Sequence, residues 1–240
     1  MAMHDFYLSL IAMVSEIVGT TSGFGSSTFF VPAAMLVESF HFVLALTAIL
    51  HVVGNLSKLV FFRGTFPIKE CIPLAIPSIL FTGVGAALTS FISPDLLRLC
   101  LGFALMAIAV FQTFSKYSVS KKSRFALMAV SGFFTGLVGT GGALRGAALR
   151  SLRLDKFAFV YASAFIDFGG DAFRTVVYLK NGYMDWSQWH YIPLLIIAAI
   201  VGSTTGKWIL SKINQTTFER IVTLFVFISG LLLCYPKLNA

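Results

Sequence analysis

The stretch GTTSGFGSSTFFVP, residues 19–32, and its counterpart GFFTGLVGTGGALRG, residues 132–146, decide how this chain is read. Each cuts an apolar run with glycines and hydroxyl side chains, so neither region reads as one straight helix. They align as Gly19, Gly23, Gly25, Ser27 and Thr28 against Gly132, Gly136, Gly139, Gly141 and Gly142, with one inserted residue. The correspondence continues downstream. Gly54 and Asn55 match Gly170 and Asp171; Lys58 matches Arg174; Ile72, Pro73 and Leu74 match Ile192, Pro193 and Leu194; Gly85 matches Gly206. A lone GxxxG would mean only close helix packing, but matches in this order over roughly 100 residues mark a tandem duplication.

The solvent around the duplication is lipid. Of 240 residues, 57% are apolar and 12% are charged, against roughly 25% charged in a soluble domain. Apolar segments near the ~20 residues needed to cross a bilayer recur along the whole chain. The expected fold is an all-α polytopic membrane protein of two inverted repeats, each a re-entrant broken-helix hairpin plus three transmembrane helices. The first repeat is 1–117, with a hairpin at 6–37 and spans at 41–62, 71–91 and 96–114. A basic linker occupies 118–124. The second repeat is 125–240, with a hairpin at 125–150 and spans at 157–179, 189–210 and 218–235. The N-terminus lacks the basic start and small-residue cleavage site of a signal peptide and reads as the start of the mature protein.

Counting Lys and Arg separates hairpins of two half-helices from straight crossings. With two hairpins, one side collects Arg63, Lys69, Lys116, Lys121, Lys122, Arg124, Arg150, Arg153, Lys156, Lys207, Lys212 and Arg220, and the other keeps Arg98, Lys180 and Lys237. With two straight crossings the asymmetry largely vanishes. The positive-inside rule therefore selects hairpins, with linker 115–124 cytoplasmic and both termini outside. Three spans per half make the halves inverted. Inverted repeats with helices broken inside the bilayer are a transporter architecture, with substrate near the midplane. The same distribution turns the net charge of +8 into a topology signal and excludes a nucleic-acid footprint.

Ionisable side chains inside lipid are functional candidates, since each costs about 2.5–3.5 kcal/mol at a helix centre. Arg145 follows Gly139, Thr140, Gly141 and Gly142 at the start of the returning half-helix. Free amides, the positive dipole end and a guanidinium fork converge there on the chemistry of an anion site. Ser26, Ser27 and Thr28 supply the equivalent turn of the first hairpin. His51, Asn55 and Lys58 fall at i, i+4, i+7, and Asp167, Asp171 and Arg174 repeat that spacing. Each set is a polar stripe on one helical face, with Asn55 a substrate ligand and the others candidates for coupling or gating. Asp171 and Arg174 can pair at i, i+3, while His51, Asp167 and Glu16 are candidates for carrying protons. Cys71, Cys100 and Cys234 are isolated, and no His has a ligand partner at metal spacing, so neither metal nor cofactor is expected.

The paired motifs, the striped spans and a short KNGYMDW loop at 180–186 resemble the TauE/SafE family of sulfite and organosulfonate exporters. The similarity covers essentially the whole chain. Ser27 and Thr28 replace family glycines, and Arg145 and Gly146 replace an apolar residue and a proline, adding positive charge to the second motif. The resemblance implies a multi-pass protein of the plasma (inner) membrane that carries small sulfur-containing anions, working as a homodimer. The expected function is therefore transport of a small anion by alternating access, with no nucleic-acid partner. An anion channel reusing the same broken helices is the alternative. A membrane enzyme is disfavoured, because four scattered histidines and no nucleophile with a base provide no reaction centre.

Overall fold

The computed structural model describes residues 2–23, 25–63, 68–114, 120–152 and 154–212, with 214, 227, 228, 230, 231 and 234 beyond them. These residues form helices joined by short turns, without a strand among them. In chain order the helices are α1 (Ala2–Ser22), α2 (Ser27–Ala34), α3 (Phe40–Phe61), α4 (Ile68–Leu88), α5 (Pro94–Phe114), α6 (Lys121–Val138), α7 (Gly142–Arg150), α8 (Lys156–Lys180) and α9 (Tyr191–Lys212). Single 3-10 turns follow α4 and precede α9. Three segments, Phe40–Phe61, Lys69–Phe91 and Tyr191–Lys212, are long and apolar enough to cross a bilayer.

Local chemistry sets where the helices stop. Gly23 and Gly139 have φ of 70° and 82°, the left-handed conformation that ends a helix and that side chains resist. Their amides close the last turns onto Gly19 O at 3.0 Å and Thr135 O at 3.1 Å. Ser120 caps α6 through the Ser123 amide at 3.2 Å, and Asp155 caps α8 through the Phe157 and Ala158 amides.

Contacts between helix ends fix their directions. At one end of the bundle, His4 meets Glu38 at 3.4 Å, Tyr191 donates to Asp5 at 2.8 Å, and His41 packs on Tyr183. At the other end, Phe62 packs on Phe157, Lys207 donates to Phe61 O, and Lys156 donates to Leu210 O. Helices α1, α3 and α9 therefore start at the first end, whereas α8 starts at the second. Gly132 and Gly136 of α6 press on the carbonyls of Ser78 and Thr82 of α4, and Gly83 of α4 lies under Phe173 of α8. Thus α4, α6 and α8 run together, opposite to α1, α3 and α9. On the other flank, Gly202 and Gly206 of α9 press on α1 at Glu16 and Thr20. A side chain at any of these glycines would separate the pair, which is the use of small residues between helices in lipid.

The broken regions differ in proportion from two half-helices. Each is a long helix, 21 residues for α1 and 18 for α6, followed by a short one of 8 residues for α2 and 9 for α7. The first limb is ~27–32 Å long at 1.5 Å per residue, enough to span hydrocarbon, and only the second is a half-helix. Packing along α9 and α4 keeps the long limbs helical past the hydroxyl residues that punctuate the sequence. The chain then folds back: Ser26 lies on Gly19, Gly141 lies on Ser131, and Glu38 returns to His4. The basic linker is also partly helix, since Lys121, Lys122 and Arg124 form the first turn of α6. Linker positions 115–119 and most of the 218–235 span lie outside the described residues.

Candidate functional site

The two chain reversals meet. Thr28, in the first turn of α2, and Thr140, between α6 and α7, place their hydroxyl oxygens 3.0 Å apart across 112 positions of sequence. Ser131 donates to Gly141 O at 2.8 Å, holding the second reversal against its long limb. The Ser27 amide at the start of α2 donates to Nε2 of His51 at 2.9 Å. In the neutral imidazole this leaves the proton on Nδ1, which faces Asp171 Oδ2 at 3.4 Å. Ser26, at the N-cap position of α2, is buried, and its hydroxyl makes no capping bond to the helix and lies beside the Glu16 carboxylate.

Beside the reversals, the stripes of α3 and α8 face each other midway along both helices. Asn55 donates to Asp171 Oδ2 at 2.7 Å, and Arg174 Nε donates to Asp171 Oδ1 at 2.8 Å. Arg174 also reaches the carbonyls of Thr135 and Gly139 at 3.1 and 3.4 Å, tying α8 to the second reversal. Arg145 of α7 pairs with Asp167 Oδ1 and donates to Ser163 Oγ at 3.0 Å. Ser163 in turn donates to Gly23 O at 3.0 Å, in the first reversal. Gly25 sits beside both the His51 ring and the Arg145 guanidinium.

The sequence expected Arg145 to offer its guanidinium to an anion, and the structure engages that guanidinium with Asp167. The reason is energetic. At 2% exposure an uncompensated guanidinium would carry a desolvation penalty of several kcal/mol, and Asp167 offsets it. The i, i+3 pairing of Asp171 with Arg174 is present. Glu16 and Lys58, expected near the same stripes, form a separate pair at 2.5 Å between α1 and α3, steadied by Ser203 and Thr20 hydroxyls at 3.0 and 3.3 Å. Gly142, buried, opens α7. Ser163, Ser131, Thr135 and Ser203 were not anticipated. Ser163 was within reach, because 163, 167, 171 and 174 continue one helical face by a turn.

Among the described residues the buried ionised groups balance, with Glu16, Asp167 and Asp171 against Lys58, Arg145 and Arg174. His51, Asp167 and Asp171 bring ligand-type atoms within 4.8 Å of one another. Each carboxylate is held by a guanidinium and the free His51 lone pair is taken by an amide, so this donor set does not fit a metal ion. What the arrangement offers is the N-terminal ends of two short helices, two threonine hydroxyls and a network of net charge zero, all midway through the bundle.

No curated protein and no solved structure matches the chain. Residues 8–233 match the family model described as Sulfite exporter TauE/SafE. With its all-helical, lipid-compatible architecture, the chain belongs to the sulfite exporter TauE/SafE family.

Proposed function

We propose that this membrane protein is a secondary transporter of a small anion, sulfite or an organosulfonate, working by alternating access around two re-entrant hairpins. The observation that carries the reading is the Thr28 to Thr140 contact. It joins the starts of α2 and α7, where amides and the positive dipole ends favour negative charge. Backbone reversals inside lipid are tolerated only where protein or a hydrated cavity covers them, which is the setting of a midplane binding site. Gly139, Thr140, Gly141 and Gly142 would meet the anion from one side, and Ser26, Ser27 and Thr28 from the other. Arg145 and Asn55 contribute polarity through the pairs that hold them.

Inverted repeats support the rocking motion. Exchanging α1, α2, α3 and α4 with α6, α7, α8 and α9 maps the packed pairs onto one another: α1 on α9 becomes α6 on α4, and α3 on α9 becomes α8 on α4. The directions established above reverse under the same exchange. For orientation, Arg63, Lys69, Lys121, Lys122, Arg124, Lys156, Lys207 and Lys212 gather at the end holding Phe62, while Lys180 lies at the other. The positive-inside rule puts the Phe62 end in the cytoplasm of a cell whose plasma (inner) membrane holds the protein, with the start of α1 outside.

Radiolabelled sulfite counterflow in proteoliposomes tests the reading. Saturable exchange competed by small sulfonates is expected. Absence of any sulfite flux, or unsaturable conductance on the scale of a channel, would overturn it.

A further inference from the structure

We propose that His51 is the acceptor of a coupling proton, and that its protonation releases the Ser27 amide to become a ligand of the transported anion. The inference rests on the transporter reading above and specifies its coupling ion. It starts from a bond that spends a binding group. The Ser27 amide is the first donor of α2, and it points at a neutral nitrogen, His51 Nε2, 2.9 Å away. A proton on Nε2 converts that nitrogen from acceptor to donor. The amide and the new N–H then face each other as two donors with no acceptor between them, and the vacated position suits a small oxyanion.

Charge bookkeeping leads to the same step. Facing His51 are Asp171, 3.4 Å from Nδ1, Arg174, 3.5 Å from Nδ1, and Asp167, all on α8. Glu16 acts from α1, and Arg145 of α7 shares Gly25 with the ring. Lys58 is two turns along α3 itself and is held by Glu16. The α2 segment STFFVPAA has no ionisable side chain, and of the α9 lysines Lys207 is bound at the far end to Phe61 O. On α5, Asp95 is exposed in the first turn. The carboxylates and cations among these groups cancel, so an anion entering alone would leave an uncompensated buried charge. One proton on His51 restores neutrality and adds a donor, with Asp171 positioned to hold the Nδ1–H of the imidazolium. Proton and anion thus enter the site together and leave together, and neither is bound well without the other.

The discriminating variant is His51→Gln, whose amide oxygen can accept from Ser27 N–H but cannot take up a proton. In proteoliposomes, a pH gradient should drive wild-type accumulation of labelled sulfite by up to about tenfold per pH unit for one-to-one coupling. His51→Gln should lose at least nine-tenths of both the equal-pH exchange and the gradient-driven accumulation, because its amide oxygen keeps the Ser27 N–H and no proton balances the anion. Exchange or accumulation equal to wild type in inserted His51→Gln protein overturns the proposal. A second measurement does not depend on the variant folding. In wild-type protein carrying 15N at its four histidines, saturating sulfite should convert one solvent-shielded imidazole from the Nδ1–H tautomer to imidazolium. No such conversion refutes the assignment while leaving transport intact. Failure of the transporter reading looks different, as wild-type vesicles would then show no sulfite flux at any pH.

Discussion

Arg145→Ala removes one partner of a buried pair and leaves Asp167, 6% exposed, without its compensating cation. Breaking such a pair costs about 3–5 kcal/mol, whereas replacing both partners by apolar residues of similar volume is often neutral. Taking ~2–4 °C per kcal/mol for a chain of this size, Arg145→Ala should lower Tm by ~6–20 °C. The companion Asp167→Leu removes the carboxylate that offsets the buried Arg145 guanidinium and should fall by a similar amount. The double variant Arg145→Met with Asp167→Leu should return to within a few degrees of wild type, because the two sites share one interaction. Thermal unfolding of purified protein in detergent measures all four states, and sulfite counterflow follows function in parallel. The double variant is expected to be folded and silent in transport, separating the role of the pair in the site from its role in stability. An unchanged Tm for Arg145→Ala would mean that no buried pair exists. A double variant as unstable as the singles would show that Arg145 and Asp167 are not coupled, and the balanced network would fail with them.

Three further outcomes follow from the same geometry. Lys58→Met should leave Glu16 buried and unpaired, lowering Tm by ~6–20 °C, and adding Glu16→Gln should recover most of that loss in the same melting assay. Gly139→Ala places a side chain at φ +82° and should cost about 1–2 kcal/mol, a fall of ~2–8 °C, with a larger relative loss of sulfite exchange because the second reversal carries the site. Single cysteines at Ser120 and Asn181, in a background without Cys71, Cys100 and Cys234, should label from opposite sides of intact cells, Ser120 only with a permeant reagent.

How far the sequence could be read depended on the range of the interaction. Helix α3 is self-declaring, because 22 residues of nearly continuous apolar character admit one interpretation, and its His51, Asn55 and Lys58 stripe follows from helical spacing alone. The breaks at Gly23 and Gly139 were visible for the same reason, since a left-handed glycine is a local requirement. The length of α1 and α6 was not visible. Thr20, Thr21 and Ser22 look like a turn in isolation, and they remain helical because the backbone of α9 lies against α1 at Gly206. Partners escaped notice wherever they are distant in sequence. Arg145 could be recognised as buried, but nothing local names Asp167, 22 positions on and in another helix. The Ser27 to His51 bond and the meeting of Thr28 with Thr140 are tertiary facts in the same sense, set by how α2 and α7 fold back against α3 and α8.

The meeting of the two reversals can be tested directly by placing cysteines at Thr28 and Thr140 in the cysteine-free background. With the hydroxyl oxygens 3.0 Å apart, mild oxidation should form the disulfide, sulfite exchange should stop, and reduction should restore it. Failure to cross-link in folded protein, or wild-type exchange by the cross-linked form, would contradict a transport site between the starts of α2 and α7.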